Sequence, residues 1–247
     1  VSMTSTLTHR GPDAEGVWND GTIGLGHRRL SILDTTDMGA QPMRSYCGRF
    51  IMVFNGEVYN HLQLRDALEK QGFNISWRGR SDTETLLAGI SVWGLRKTLT
   101  KCSGMFALAL WDKKHRRLSL ARDRAGEKPI YWGWLGDDLA FASELKALRA
   151  HPGFSKDVCK VALGQFLRYR YVPSPLSIYK NIYKLEAGTI LDVQHPLPAF
   201  PKTVLRPGEN HGSLSISRFW HIDDEVKRGV NRKLNGDDEA ISELRGA

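Results

Sequence analysis

The chain has 247 residues, of which 41% are hydrophobic and 25% charged, a composition that excludes a disordered or collagen-like protein. Its longest uninterrupted apolar run, Met105 to Trp111, is far shorter than the roughly 20 residues that a membrane helix needs. No basic-then-apolar start resembles a signal peptide, and the three cysteines lack the close spacing of a metal site. We therefore expect a cytoplasmic protein with no membrane partner and no metal.

The net positive charge raises the question of a nucleic-acid partner. Lysine and arginine outnumber aspartate and glutamate by 35 to 27, a formal net charge of +8 at pH 7, and such a balance can indicate nucleic-acid binding. The densest basic run, Lys113 to Arg117, lies between two strand-like segments, where charged side chains keep a hairpin turn solvated. We interpret the run as a charged turn and expect no nucleic-acid partner; a basic binding module stays as the alternative.

The apolar pattern predicts an α+β fold dominated by antiparallel sheet. Runs of β-branched and aromatic residues predict strands at 23–30, 50–59, 105–112, 117–122, 129–135, 139–142, 188–194 and 214–220. Helical spacing predicts helices near 62–72, 81–94 and 160–169, and a short one from residue 143. In the second helix, Ser81 fits the N-cap, Glu84 the capping-box position and Gly94 the end.

The last quarter of the chain differs in kind. Residues 195–207 hold four of the ten prolines without periodicity, and glycines follow at positions 208 and 212. We predict a long exposed Pro-rich loop over 195–212. After Trp220 the sequence becomes polar and charged, which predicts a linker or an edge helix over 223–247.

Polar residues that interrupt apolar segments match the groups of an amino-acid ligand. Arg29 can bind an α-carboxylate as a planar two-pronged donor, and Glu57 with Asp82 can hold an ammonium group. Asn55 offers an amide donor, and Gly56 lets a backbone N–H approach a ligand closely. Two such donors aimed at one oxygen are the parts of an oxyanion hole.

Each of these features also has a simpler interpretation. Asn55-Gly56 is a common hairpin-turn signal, and Ser81-Asp82 is a common start of a helix. Arg29 can equally be half of a surface ion pair. Spacing alone leaves these alternatives open, because short motifs occur often by chance.

Seven motifs, taken together, favour the ligand-site interpretation over the simpler ones. They are HRGPD at 9–13, HRRLSILD at 27–34, GAQP at 39–42, FNGEVYNH at 54–61, SDTE at 81–84, RDRAGEKPIY at 122–131 and SELKAL at 143–148. In this order they resemble the glutaminase domain of glutamine-hydrolysing asparagine synthetase, a class II glutamine amidotransferase with the N-terminal-nucleophile hydrolase fold. The resemblance covers the chain to about residue 222.

The resemblance implies a four-layer αββα sandwich that binds L-glutamine and hydrolyses it to glutamate and ammonia. It implies a second, synthetase domain with ATP and Mg, where the ammonia serves an amidation: asparagine synthesis by default, or amidation of a sugar acid. A homodimer is also compatible with the family pattern. We expect no cofactor in the present chain.

The family pattern also assigns roles to individual residues. Arg29 would bind the glutamine α-carboxylate, and Asn55 and Gly56 would form the oxyanion hole. The remaining predicted site residues are Leu30, Ser31, Ile32 and Leu33, whose backbone lines the site, and Glu57 and Asp82, which contact the α-amino end. Arg122, Asp123, Arg124 and Lys128 would instead hold the sheet and its turns.

The chain departs from the family pattern at both ends. The family's nucleophile is an N-terminal cysteine whose own α-amine is the base, whereas this chain starts with Val1 and has eight residues before the first motif. We expect Cys47, Cys102 and Cys159 to be structural or incidental thiols. Residues 1–222 are thus predicted to be a glutaminase domain without its first strand, inactive alone, and 223–247 the start of a synthetase domain. A natural non-catalytic relative is the alternative.

Overall fold

Twelve strands and eight α-helices lie in the part of the chain that the structure describes. It is a computed structural model and covers residues 1–201, 203–231 and 236–246, with side chains up to residue 242. The strands are β1 (Ala14–Asn19), β2 (Gly24–Arg29), β3 (Met43–Arg44), β4 (Phe50–Val58), β5 (Gly104–Asp112), β6 (Arg117–Arg122), β7 (Tyr131–Leu135), β8 (Asp138–Ala142), β9 (Ile182–Lys184), β10 (Thr189–Gln194), β11 (Asn210–His211) and β12 (Leu214–Arg218). The helices are α1 (Ser2–Ser5), α2 (His61–Lys70), α3 (Asp82–Trp93), α4 (Leu95–Lys101), α5 (Leu145–Arg149), α6 (Lys160–Tyr169), α7 (Ile222–Asn231) and α8 (Asp237–Gly246).

The strands form three antiparallel sheets. Seven of them make one large sheet in the order β11-β12-β10-β6-β5-β4-β3, three make a smaller sheet in the order β8-β7-β9, and β1 pairs with β2 as a hairpin. The long central pair β4 and β5 runs in register from Phe50 opposite Asp112 to Val58 opposite Gly104. All eight predicted strands are confirmed in place, within a few residues at their ends.

Alternation along β4 shows how the layers meet. Ile51 and Val53 point into a core shared with side chains of β2 and β7, while Met52 and Phe54 point to the opposite face, against α2, α3 and α4. The far side of the smaller sheet is covered by α5 and α1. The order helix, sheet, sheet, helix confirms the predicted αββα sandwich.

The first turns of helix α3 are buried against the sheet, and they carry polar residues. Ser81 caps it, accepting the N–H of Glu84 at 3.2 Å, and Gly94 ends it with φ 83°. The second half of the predicted capping box is wrong. The Glu84 carboxylate accepts the N–H groups of Arg78 (2.9 Å) and Gly79 (3.0 Å) instead, because the preceding loop folds over the helix start.

The basic run is confirmed as a charged turn. It connects β5 to β6, whose ends pair Asp112 with Arg117. The buried Asp112 carboxylate accepts the N–H of Lys114 (3.0 Å) and His115 (3.3 Å) and pairs with Arg49 at 2.6 Å. The lysines and arginines of the run are exposed, so their presence here has a structural reason.

The Pro-rich segment departs from the expectation of an exposed loop. Leu205 is buried in the core between the sheets, and the Phe200 ring meets Trp134 edge-on with centroids 5.4 Å apart. The prediction is wrong at these positions because the apolar side chains of the segment cover an edge of that core. Lys202 lies outside the described residues.

Several elements were not predicted from sequence, namely α1, α4 and the short or edge strands β1, β3, β9 and β11. After Trp220 the structure has the helix α7, none of whose residues is buried. Residues 232–235 and 247 of the predicted linker lie outside the described residues, and its boundary at 222 stays a prediction. Among the residues described, no helix is long and apolar enough to cross a bilayer.

Candidate functional site

A cleft of about 850 Å³ opens between β2, the second half of β4 and the start of α3. Its walls include every site residue predicted from sequence: Arg29, Leu30, Ser31, Ile32, Leu33, Asn55, Gly56, Glu57 and Asp82. These residues come from three separate segments of the chain. The fold therefore brings the predicted site together in one place.

The edge of β4 gives the cleft its polar wall. The short strand β3 pairs only with Ile51 and Met52, so the rest of that edge has no strand partner among the described residues. Side chains take its place. Gln41 Oε1 accepts the Phe54 N–H at 2.6 Å, and Asp82 Oδ2 accepts the Val58 N–H at 2.9 Å.

One N–H group lies between these two. Peptide groups alternate sides along an antiparallel strand, so the N–H of Gly56 points to the same side as those of Phe54 and Val58. Gly56 lines the cleft, and its N–H has no side-chain acceptor among the described residues. This N–H is thus available to a ligand.

Packing against the neighbouring strand requires a glycine at position 56. A Cβ at this position would stand 2.1 Å from the backbone oxygen of Met105 and 2.6 Å from the Cα of Phe106, both on the paired strand β5. Asn55-Gly56 lies within β4, so the alternative of a hairpin turn is wrong. The close pairing of β4 and β5 accounts for the missing side chain.

Asn55 follows the inward row of Ile51 and Val53 and faces the space between the sheets. Its Nδ2 lies 3.5 Å from the hydroxyl of Ser143, the residue after β8. The side-chain amide and the Gly56 N–H belong to consecutive residues and both border the cleft. Together they can donate to one ligand oxygen, as an oxyanion hole requires.

Arg29 ends β2 on the face that also carries Leu25 and His27. Its guanidinium donates to the backbone carbonyls of Thr36, at 2.8 Å, and Asp34, which holds the loop after β2 around it. Arginine has five N–H donors, so most remain for a carboxylate. Arg29 forms no salt bridge with a described carboxylate, and the ion-pair alternative is not supported.

The two predicted carboxylates differ in environment. Asp82 is buried, and both oxygens accept backbone N–H groups, from Val58 at 2.9 Å and Thr83 at 2.8 Å. Burial raises the pKa of Asp82, and the negative charge of Glu57 adds to the effect. Glu57 is half-buried and has no hydrogen-bond partner among the described side chains, so it is the freer acceptor for an ammonium group.

The cysteines stand apart from this cleft. Cys47 is exposed, Cys102 is buried and Cys159 precedes α6; none of the three lines the cleft. Burial raises the pKa of the Cys102 thiol to about 12, which leaves it protonated and unreactive. None of these thiols is placed to attack a ligand in the cleft.

Gln41 and His27, two of the polar cleft residues to which the sequence assigned no role, contact the backbone of the same residue. Gln41 accepts the Phe54 N–H as described, and His27 lies 3.1 Å, through Nε2, from the Phe54 carbonyl. Burial lowers the pKa of His27 from 6.5 to about 4. The available signal was a histidine two residues after an inward leucine on a strand, but its partner is 27 positions away in the chain.

Arg122 and Asp123, at the end of β6, hold the sheet as predicted, whereas the side of the cleft includes Lys128, which was expected to be structural. Arg122 donates to the carbonyls of Lys128 and Leu185, each at 2.8 Å. Asp123 accepts the N–H of Phe106 at 3.2 Å and of Lys128 at 3.0 Å. These bonds tie the 122–128 turn to β5 and to the segment before β10.

Comparison with known proteins agrees with this geometry. Residues 1–197 match the family model of the glutamine amidotransferase domain. The chain is 37% identical over 187 residues to glutamine-hydrolysing asparagine synthetase 1 of Bacillus subtilis, covering 76% of this chain and 29% of that protein. It is 37% identical over 205 residues to a putative asparagine synthetase 2 of Methanocaldococcus jannaschii, covering 75% and 39%.

A solved structure supports the fold. The glutamine phosphoribosylpyrophosphate amidotransferase of B. subtilis superposes with a TM-score of 0.59 at 20% identity, covering 89% of this chain and 46% of that one. The chain spans about a third of the length of the curated relatives it matches. The motif resemblance is confirmed, and the chain belongs to the glutamine amidotransferase domain family.

Proposed function

We propose that the cleft binds L-glutamine and presents its side-chain amide for hydrolysis to L-glutamate and ammonia. The observation that carries the proposal is the pairing of two donor sets in one cleft. Arg29 offers a guanidinium to a carboxylate, while Asn55 and Gly56 offer two N–H donors to a single oxygen. A free amino acid with a side-chain amide has both acceptors.

The charges of the cleft fit the same ligand. The α-carboxylate pairs with Arg29 through charge-assisted hydrogen bonds, and the α-ammonium lies against the negative charges of Glu57 and Asp82. The amide oxygen then accepts from Asn55 and Gly56. D-Glutamine would exchange the positions of the ammonium and the hydrogen on Cα, so its ammonium would point away from Glu57 and Asp82.

In this proposal the nucleophile is the N-terminal cysteine of the family pattern, supplied from outside residues 1–247. Its thiolate attacks the amide carbon, and the tetrahedral oxyanion accepts the hydrogen bonds of Asn55 and Gly56. The amide nitrogen takes the proton that the cysteine α-amine removed from the thiol and leaves as ammonia, and a thioester remains. Water then adds to the thioester, releasing glutamate and the thiol.

The wider activity is proposed from the relatives, since they are glutamine-hydrolysing asparagine synthetases. The ammonia serves an ATP-dependent amidation, of aspartate by default, in a synthetase domain of the same protein. ATP and magnesium are bound by that domain.

Calorimetric titration of the 247-residue chain tests the binding step. L-Glutamine should bind at one site and D-glutamine should not. Arg29→Lys should weaken binding at least tenfold, since a bidentate charge-assisted contact is worth about 1.5–3 kcal/mol. Arg96→Lys is the matched control, because Arg96 also donates to a backbone carbonyl but lies outside the cleft.

A non-catalytic amidotransferase-like domain is the second candidate, because no cysteine stands among the described residues that line the cleft. Ammonia release by the protein expressed from its natural start codon separates the two. Release that Asp82→Asn and Arg29→Lys both reduce supports the glutaminase. L-Glutamine binding without ammonia release supports the non-catalytic domain.

A further inference from the structure

Two side chains hydrogen-bond the backbone of Phe54 on the open edge of β4. Gln41 Oε1 accepts the Phe54 N–H at 2.6 Å, and His27 Nε2 lies 3.1 Å from the Phe54 carbonyl. That carbonyl belongs to the peptide group that enters Asn55, and the next peptide group carries the Gly56 N–H. The two donors of the proposed oxyanion hole therefore follow directly after a clamped segment of β4.

The hydrogen bond fixes where the proton of His27 sits. A carbonyl oxygen only accepts, so Nε2 must carry the hydrogen and the neutral ring must leave Nδ1 unprotonated. Nδ1 is closed off from solvent and has no hydrogen-bond partner among the described residues. Burial lowers the pKa of His27, and the positive charge of Arg29 lowers it further. A second proton at Nδ1 would also be a buried donor without a partner among the described residues.

His27 also lies between Arg29 and the proposed oxyanion donors. It lies on the same face of β2 as Arg29, two residues away, and it reaches across to β4. The His27 side chain thus connects β2, which carries the carboxylate-binding Arg29, to β4, which carries the oxyanion donors.

We propose that His27 is a positioning residue for the oxyanion hole. By donating from Nε2 to the Phe54 carbonyl, it fixes the rotation of the peptide group that enters Asn55. That rotation sets the direction of the Asn55 side chain and of the following Gly56 N–H. The inference rests on the proposed function, because it assigns a role within the same glutamine site.

Two substitutions separate the hydrogen bond from the ring. In H27Q the side-chain amide nitrogen reaches about as far as Nε2, so it can still donate to Phe54. In H27N the shorter amide reaches only as far as Nδ1, so the bond is lost while a polar group remains. H211N is the matched control, since His211 Nε2 lies 2.8 Å from the Ala199 carbonyl outside the cleft.

The test is NMR titration of the 247-residue chain with L-glutamine and L-glutamate. The γ-carboxylate of L-glutamate places a negative oxygen where the oxyanion would form, so it reports on the donors. In the parent, L-glutamate should shift the Gly56 amide proton downfield. H27N should lose affinity for L-glutamate about tenfold more than for L-glutamine, the effect of a weakened hydrogen bond to a charged group. H27Q should recover most of that loss, and H211N should match the parent.

The outcomes distinguish the two levels of the proposal. If the parent binds both amino acids and H27N changes neither the affinity ratio nor the Gly56 shift, the positioning role is wrong and the glutamine site stands. If the folded parent binds neither amino acid, both proposals are wrong. Should H27N fail to fold, the ¹⁵N spectrum of the parent ring decides: a proton on Nε2 supports the role, and a proton on Nδ1 overturns it.

Discussion

Lowering the pH should destabilise the protein through His27. Burial lowers its pKa from 6.5 to about 4, so the unfolded chain takes up this proton before the folded one. The contribution of His27 to the free energy of unfolding is therefore constant above about pH 6.5 and declines from there to about pH 4. At 1.36 kcal/mol for each pH unit between the two values, the loss amounts to about 3 kcal/mol.

Urea unfolding of the parent and of H27Q at pH 7, 6, 5 and 4 measures this loss. Carboxylates also contribute near the acidic end of this range, among them Asp34, whose pKa is held below its ordinary value of 3.8 by hydrogen bonds from Thr36 and Arg80. The difference between the two proteins cancels these shared contributions. The unfolding free energy of the parent minus that of H27Q should fall by about 3 kcal/mol from pH 7 to pH 4. If the difference in unfolding free energy does not change with pH, the claim that His27 is buried and neutral is refuted.

Further predictions concern packing, a buried carboxylate and the thiols. Gly56→Ala should lower the unfolding free energy by about 1–3 kcal/mol in urea titration, because its Cβ meets β5. The same change at Gly164 in α6, where nothing lies within 4 Å, should raise it by about 0.5–1 kcal/mol; equal effects would contradict the packing argument. Glu84→Gln should cost about 1–3 kcal/mol, since an amide cannot satisfy both N–H groups that the carboxylate accepts. Asp66→Asn at the exposed pair with Lys70 should change stability by less than about 0.5 kcal/mol; an equal loss would count against a special role for Glu84. In native protein a thiol reagent should label Cys47 and spare Cys102 until unfolding; mass spectrometry of peptides reads this, and early labelling of Cys102 would contradict its burial.

The sequence predicted the parts of the site that depend on local pattern. The strand at Phe50–Val58 and the helix start at Ser81 follow from side-chain periodicity and capping, and both position predicted site residues. The ordered motifs added the prediction that Arg29 and Asn55 bind the ligand, which spacing alone left open. These features need only neighbours within a few positions in the chain.

What the sequence could not predict depends on contacts across long separations. The pairing of His27 with Phe54, and of Gln41 with the same residue, arises only once β2 and the loop before β3 lie against the open edge of β4. From the sequence we explained Gly56 by ligand access, but it is the backbone of the paired strand β5 that leaves no room for a side chain there. The burial of Leu205 likewise depends on where the Pro-rich segment folds back.

A crystal structure of the 247-residue chain with L-glutamine tests the central claim most directly. The proposed function predicts one ligand in the cleft, with its α-carboxylate on the Arg29 guanidinium. Its amide oxygen should lie within hydrogen-bond distance of Asn55 Nδ2 and the Gly56 N–H. Glutamine bound elsewhere, or bound in the reverse orientation with its amide at Arg29, would contradict the account.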